Sequence, residues 1–224
     1  MSGLALAWRQ RYFWPHPEWW TIALSVAAWA MMLPHTWRHQ HRITIGEEMG
    51  LWILMIVAMM FPFLLDTVRY IAESSLWRRR HRSIALFLLG YLIPWLVPGI
   101  AVSLLRQLEW GRHWLLVPTA FLVAAAWLST LVCETADAAC HRSYPLAPSG
   151  WLADRSALQF GWSIGTFCVI SCWPLMIACA VSGHGLPAMA GGFAVTVQRR
   201  RYRRPRRRQA IQIALILAGL YLLW

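Results

Sequence analysis

Lysine is absent and acidic residues are scarce: the 224-residue chain has nine Asp and Glu against 21 basic residues, all Arg, for a formal charge of +12. Charged residues make up only 13% and hydrophobic residues reach 58%, against about 25% and roughly 45–50% in soluble domains. So little charge excludes an ordinary water-soluble fold. Uncharged runs long enough for a ~30 Å hydrocarbon layer, with 16 Trp, predict an all-α polytopic helical membrane protein.

Other absences narrow the function. No P-loop and no dinucleotide fingerprint is present, and ATP-driven transport by this chain alone is excluded. Five cysteines, at least three inside apolar runs, cannot form an organising disulfide framework. Residues 1–18 carry Arg9, Arg11, Pro15, Pro17 and Glu18 and lack an apolar core ending in small residues, so the first apolar segment is expected to be retained. No 20–50-residue repeat divides the chain, and residues 1–224 are expected to form one membrane domain.

Seven apolar stretches stand between charge clusters, at about 19–33, 51–65, 84–105, 114–133, 158–181, 186–197 and 210–224. The expected bundle has about seven transmembrane helices, six plus one short or tilted. The short one is 186–197, which contains Gly191-Gly192. With seven spans, every Arg except Arg38, Arg42, Arg106 and Arg112 falls on one face. The positive-inside rule then puts the N-terminus in the cytoplasm and the C-terminus outside, the orientation expected for a multi-pass protein of an inner membrane. Arg199, Arg200, Arg201, Arg203, Arg204, Arg206, Arg207 and Arg208 lie between two apolar segments. There they read as a topology determinant contacting anionic headgroups of the bilayer at the cytoplasmic interface, not as a nucleic-acid tail.

The side chains that could carry chemistry are soft donors. In the fifth stretch Cys168, Cys172, Met176 and Cys179 are spaced by 4, 4 and 3, one stripe of a helix. Thiolate and thioether select Cu(I) over hard cations, and Pro174 loosens the helix beside them. Met55 and Met59 repeat the theme one turn apart in the second stretch, ahead of Met60 and Pro62, although a Met stripe is commonly core. On the expected outer face lie His35, His39, His41, Glu47, Glu48, Met49, His113 and His184. Imidazole, carboxylate and thioether make a capture set there. Cys133 and Cys140, flanking Glu134 and Asp137, have no zinc-ribbon spacing. Gly161-Trp-Ser163-Ile-Gly165 matches a nucleophile-elbow string, but inside a membrane helix it reads as a helix-packing motif.

Trp52-Ile-Leu-Met-Ile-Val-Ala-Met-Met-Phe-Pro62, Gly90-Tyr-Leu-Ile-Pro-Trp95, and Cys168 through Met176 with Gly185-Leu-Pro-Ala-Met-Ala190 resemble, in that order, the blocks of a bacterial family of predicted metal-binding integral membrane proteins, some labelled copper chaperones. The resemblance runs over about 45–198. It departs at Ile170-Ser171-Cys172-Trp173, where family members often show two adjacent cysteines, and at the Arg run, which replaces a Glu-Lys pair. The combined expectation is a non-enzymatic, metal-handling protein, with copper as the cargo. Capture would fall to His35, His39 and His184, and holding or transfer to Met55, Met59, Cys168, Cys172 and Met176. The alternative is a structural or assembly subunit of a larger membrane complex.

Overall fold

A computed structural model describes residues 19–36, 44–76, 78–107, 116–140, 142, 144–147 and 149–201. Among the described residues the regular structure is all helix, with no strand. Helix α1 is Trp19–Met32, followed by a 3-10 turn at Leu33–Thr36. Helix α2, Ile45–Met60, passes through the 3-10 turn Phe61–Leu64 into α3, Leu65–Ser74. Then come α4 (Arg80–Gln107), α5 (Leu116–Trp127), α6 (Leu131–Ala139), α7 (Gly150–Val181) and α8 (Leu186–Arg201).

Three of these helical segments are long and apolar enough to cross a membrane: Ile45–Ser74, Arg80–Leu105 and Gly150–Val181. They contain the second, third and fifth apolar stretches. The first stretch is the 14-residue α1 and the sixth the 16-residue α8, about 24 Å long at 1.5 Å per residue. The seventh, 210–224, lies outside the described residues, as do the first eighteen.

The fourth stretch is not one straight span. Helices α5 and α6 meet at a 73° bend. Local hydrogen bonding explains the break. The Thr130 hydroxyl accepts from Cys133 N–H as the N-cap of α6, and the Ser129 and Thr130 hydroxyls donate to the carbonyls of Ala126 and Trp127. Side chains of this type compete with the helical ladder and start a new helix in a new direction.

Helices α4 and α7 run parallel and form the seam of the fold. Phe87, Gly90 and Tyr91 meet Gly161, Leu158 and Gly165 backbone to backbone: a Cβ on Gly90 would strike Leu158 O, one on Gly161 would strike Phe87 O, and one on Gly165 would lie 2.5 Å from Tyr91 O. Small residues allow this approach, so the nucleophile-elbow string is a packing device here. At the shared N-terminal end of the seam Asp154 receives Arg79 at 2.6 Å and Arg82 at 2.7 Å. Helix α2 runs antiparallel to α4, with the buried Trp52 indole donating to Trp95 O at 2.9 Å. The α2 N-terminus is secured by a capping box between Thr44 and Glu47. At that same end the turn 182–185 reverses the chain, and α8 returns along α7.

Candidate functional site

Proline organises the site. Pro174 lies inside α7 and has no N–H for the carbonyl of Ile170. The Trp127 indole supplies the missing donor at 2.9 Å. One residue further, Ser171 O accepts both Cys133 Sγ at 3.3 Å and Arg199 at 3.4 Å. The opened turn therefore draws α6 and α8 against α7 at the level of Cys168 and Cys172. In the apolar stretch 158–181 this level is near the middle: Cys168 is about 15 Å from residue 158 and Cys172 about 14 Å from residue 181 by helical rise.

Sulfur converges there from three helices. Cys168 and Cys172, both buried, lie one turn apart on α7, and Cys168 interacts electrostatically with the buried Cys140, which follows α6. Met60, at the end of α2, brings its thioether to 3.9 Å from Cys168 Sγ. Tyr91 OH of α4 donates to Cys168 at 3.0 Å, and the Ser171 hydroxyl lies 3.3 Å from Cys172. Among the described residues no three of His, Cys, Asp and Glu are arranged to hold a metal ion. The donors that do meet are thiols and one thioether, a set suited to a low-coordinate soft cation and ill suited to hard divalent ions.

Charge closes the site from the α8 side. Arg199 donates to Asp137 at 3.0 Å and to Cys133 Sγ at 3.1 Å, and approaches Cys172 Sγ at 3.8 Å. Arg200 approaches Cys168 Sγ at 4.0 Å and Asp137 at 3.9 Å, with its guanidinium 4.6 Å from the centre of the Phe63 ring. The two Arg side chains keep only 9% and 11% of their surface exposed. These two members of the Arg run thus turn inward onto a carboxylate and thiols. Arg201 ends α8, its side chain undescribed, and Arg203, Arg204, Arg206, Arg207 and Arg208 lie outside the described residues.

The other sequence-stripe residues are distributed along the bundle. Met55, Met59 and Met176 are fully buried in the same core as Cys168 and Cys172. Met59 and Cys179 both face Gly192, where a Cβ would be 3.0 Å from Met59 Cε and from Cys179 Sγ. His184 is buried at the reverse turn with φ 55°, its Nδ1 4.0 Å from Glu48 Oε1. Its N–H donates to Cys179 O at 3.1 Å. His35 sits in the 3-10 turn with its side chain undescribed, and His39 lies outside the described residues.

The α7 stripe revealed Cys168 and Cys172 from spacing alone. Cys140, Cys133, Asp137, Tyr91 and the two arginines join them only through tertiary packing. Met60 carried one available clue, its place two residues before Pro62, where the helix tightens into a 3-10 turn and changes which face the side chain presents. No curated protein and no solved structure matches the chain. A family model described as PpoB2, copper chaperone, matches residues 49–222, more than half of the chain, and the chain belongs to that family.

Proposed function

We propose that this is a membrane-embedded copper-handling protein that holds Cu(I), its cargo, between the Cys168 and Cys172 thiolates with the Met60 thioether beside them. The observation that carries the reading is the approach of the buried Met60 thioether to Cys168, with the buried Cys172 thiol one turn further along α7. The family's copper-chaperone description agrees with it. The apolar lengths of Ile45–Ser74, Arg80–Leu105 and Gly150–Val181 support placement in a bilayer. The Arg-rich end that holds Arg79, Arg82 and Asp154 would face the cytoplasm of a bacterial inner membrane. Copper would then enter from the opposite end, at Glu48 and His184, and pass Met59 and Cys179 to the thiol cluster. Both thiols lose a proton to the medium when the ion binds, so affinity rises with pH. The protein transfers a metal and catalyses no bond rearrangement.

The test is the copper-to-protein ratio of the full chain in detergent after exposure to Cu(I), beside a Cys168→Ser, Cys172→Ser variant. The expected result is about one copper per chain, lost in the variant, as a single thiolate site requires. An unchanged ratio in the variant contradicts the proposal. Fixed co-purification with other membrane proteins and no copper would favour an assembly subunit instead.

A further inference from the structure

Two guanidiniums and one carboxylate beside a thiol pair are more charge than packing requires. Burying ions is costly unless their charges balance. Arg199 and Arg200 are cations at any accessible pH, and both act on Asp137 while approaching Cys172 and Cys168 respectively. With an empty site and neutral thiols the cluster carries one excess positive charge. When two thiols release their protons and take up a monovalent ion, three negative groups, the two thiolates and Asp137, face three positive ones, the two guanidiniums and the ion. The balance is then zero. A divalent ion on the same two thiolates leaves one uncompensated positive charge in the interior of the bundle. The other titratable groups around the cluster are Tyr91, whose OH donates to Cys168, Cys133, whose Sγ accepts from Arg199 and donates to Ser171 O, and Cys140; the count is made on the two ion-binding thiols and the three charged side chains alone.

We infer that Arg199, Arg200 and Asp137 set the valence of the ion that the Cys168–Cys172 pair accepts, selecting a monovalent soft cation over a divalent one by electroneutrality. Arg199 and Arg200 are positioning residues in this scheme, acting through charge without ligating the ion. The inference rests on the thiol pair being a metal site, as proposed above. Ligand softness alone would not make this distinction, because thiolates also bind soft divalent ions such as Cd(II). The surrounding charge supplies what the ligands lack.

The experiment is competition between Ag(I), a redox-inert monovalent soft cation, and Cd(II), on the full chain in lipid nanodiscs at one pH. The native protein is expected to favour Ag(I). Arg199→Gln, which leaves the monovalent complex one charge too negative and the divalent complex balanced, is expected to shift the preference toward Cd(II) by about tenfold or more, a deliberately discounted share of the interaction between unit charges a few ångströms apart in protein. Arg199→Lys keeps the charge and should retain the native preference. Arg199→Gln with Asp137→Asn restores the balance and should recover it, a rescue that a purely structural role for Arg199 does not produce. The double variant and the Lys variant also keep the test decisive if Arg199→Gln alone fails to fold. Binding of both ions with a preference unmoved by Arg199→Gln, or unrescued in the double variant, overturns this inference and leaves the thiol site standing. Binding of neither ion by the native protein overturns both.

Discussion

Two levels of one face of α7 use opposite materials. Toward α4 the helix presents Gly161 and Gly165, and the two backbones touch with no room for a methyl group. One and two turns further along that face it presents Cys168 and Cys172, with Ser171 beside them, and the neighbours reach these through side chains: Tyr91 of α4, Met60 of α2, and Arg199 and Arg200 of α8. The first contact is rigid because backbone cannot yield. The second is made of thiols, guanidiniums and a proline-opened turn, which can rearrange around an ion. A bundle that must hold a soft cation in a defined place needs a fixed wall and an adjustable one, and the chain puts them at successive levels of one face of a single helix.

The comparison can be broken most severely at the seam. Replacing Gly161 with Leu drives a side chain into Phe87 O, where only main chain could move. Overpacking of this kind costs about 1–3 kcal/mol in soluble cores and more where nothing can relax. Little folded protein is expected in detergent extracts, as read by size-exclusion chromatography. Gly192→Ala meets the flexible ends of Met59 and Cys179; folded protein at near-native yield is the expected outcome. Equal damage from the two substitutions would erase the distinction between rigid and adjustable walls.

Next in size is the hydrogen bond that compensates Pro174. Trp127→Phe removes the indole donor and leaves Ile170 O without it, a loss of about 1–3 kcal/mol for a buried unsatisfied carbonyl. Denaturant titration of the purified protein should show this decrease. Copper affinity should fall with it if the opened turn positions Cys172, and an unaltered affinity would separate the turn from the site. The smallest effect is expected at the α5–α6 bend. Thr130→Ala deletes the N-cap of α6 and should lower stability by about 1 kcal/mol, with Cys133 and Asp137 held less firmly. The same titration reads it.

Much of this was legible in the residues. The apolar stretches anticipated helices because lipid-length runs leave few other options, and a spacing of four placed Cys168 and Cys172 on one stripe. The bend at 128–130 was not read, since apolar composition continues through Ser129 and Thr130 and the break comes from their hydroxyls. The two arginines were assigned to a surface because a basic run between apolar segments usually marks the membrane edge. Their inward turn depends on Asp137, 62 residues earlier, and no local pattern announces that pairing. Cys140 was obscure for the same reason: its partner Cys168 is remote in sequence and is reached only because α6 crosses α7 after the bend.

The most direct measurement is X-ray absorption spectroscopy at the copper edge on the Cu(I)-loaded full chain. A shell of two or three sulfur neighbours without nitrogen or oxygen is expected, lost in the Cys168→Ser, Cys172→Ser variant. A shell dominated by imidazole nitrogen or carboxylate oxygen would place the ion at His184 and Glu48, or at histidines beyond the described residues, and would contradict the thiol site.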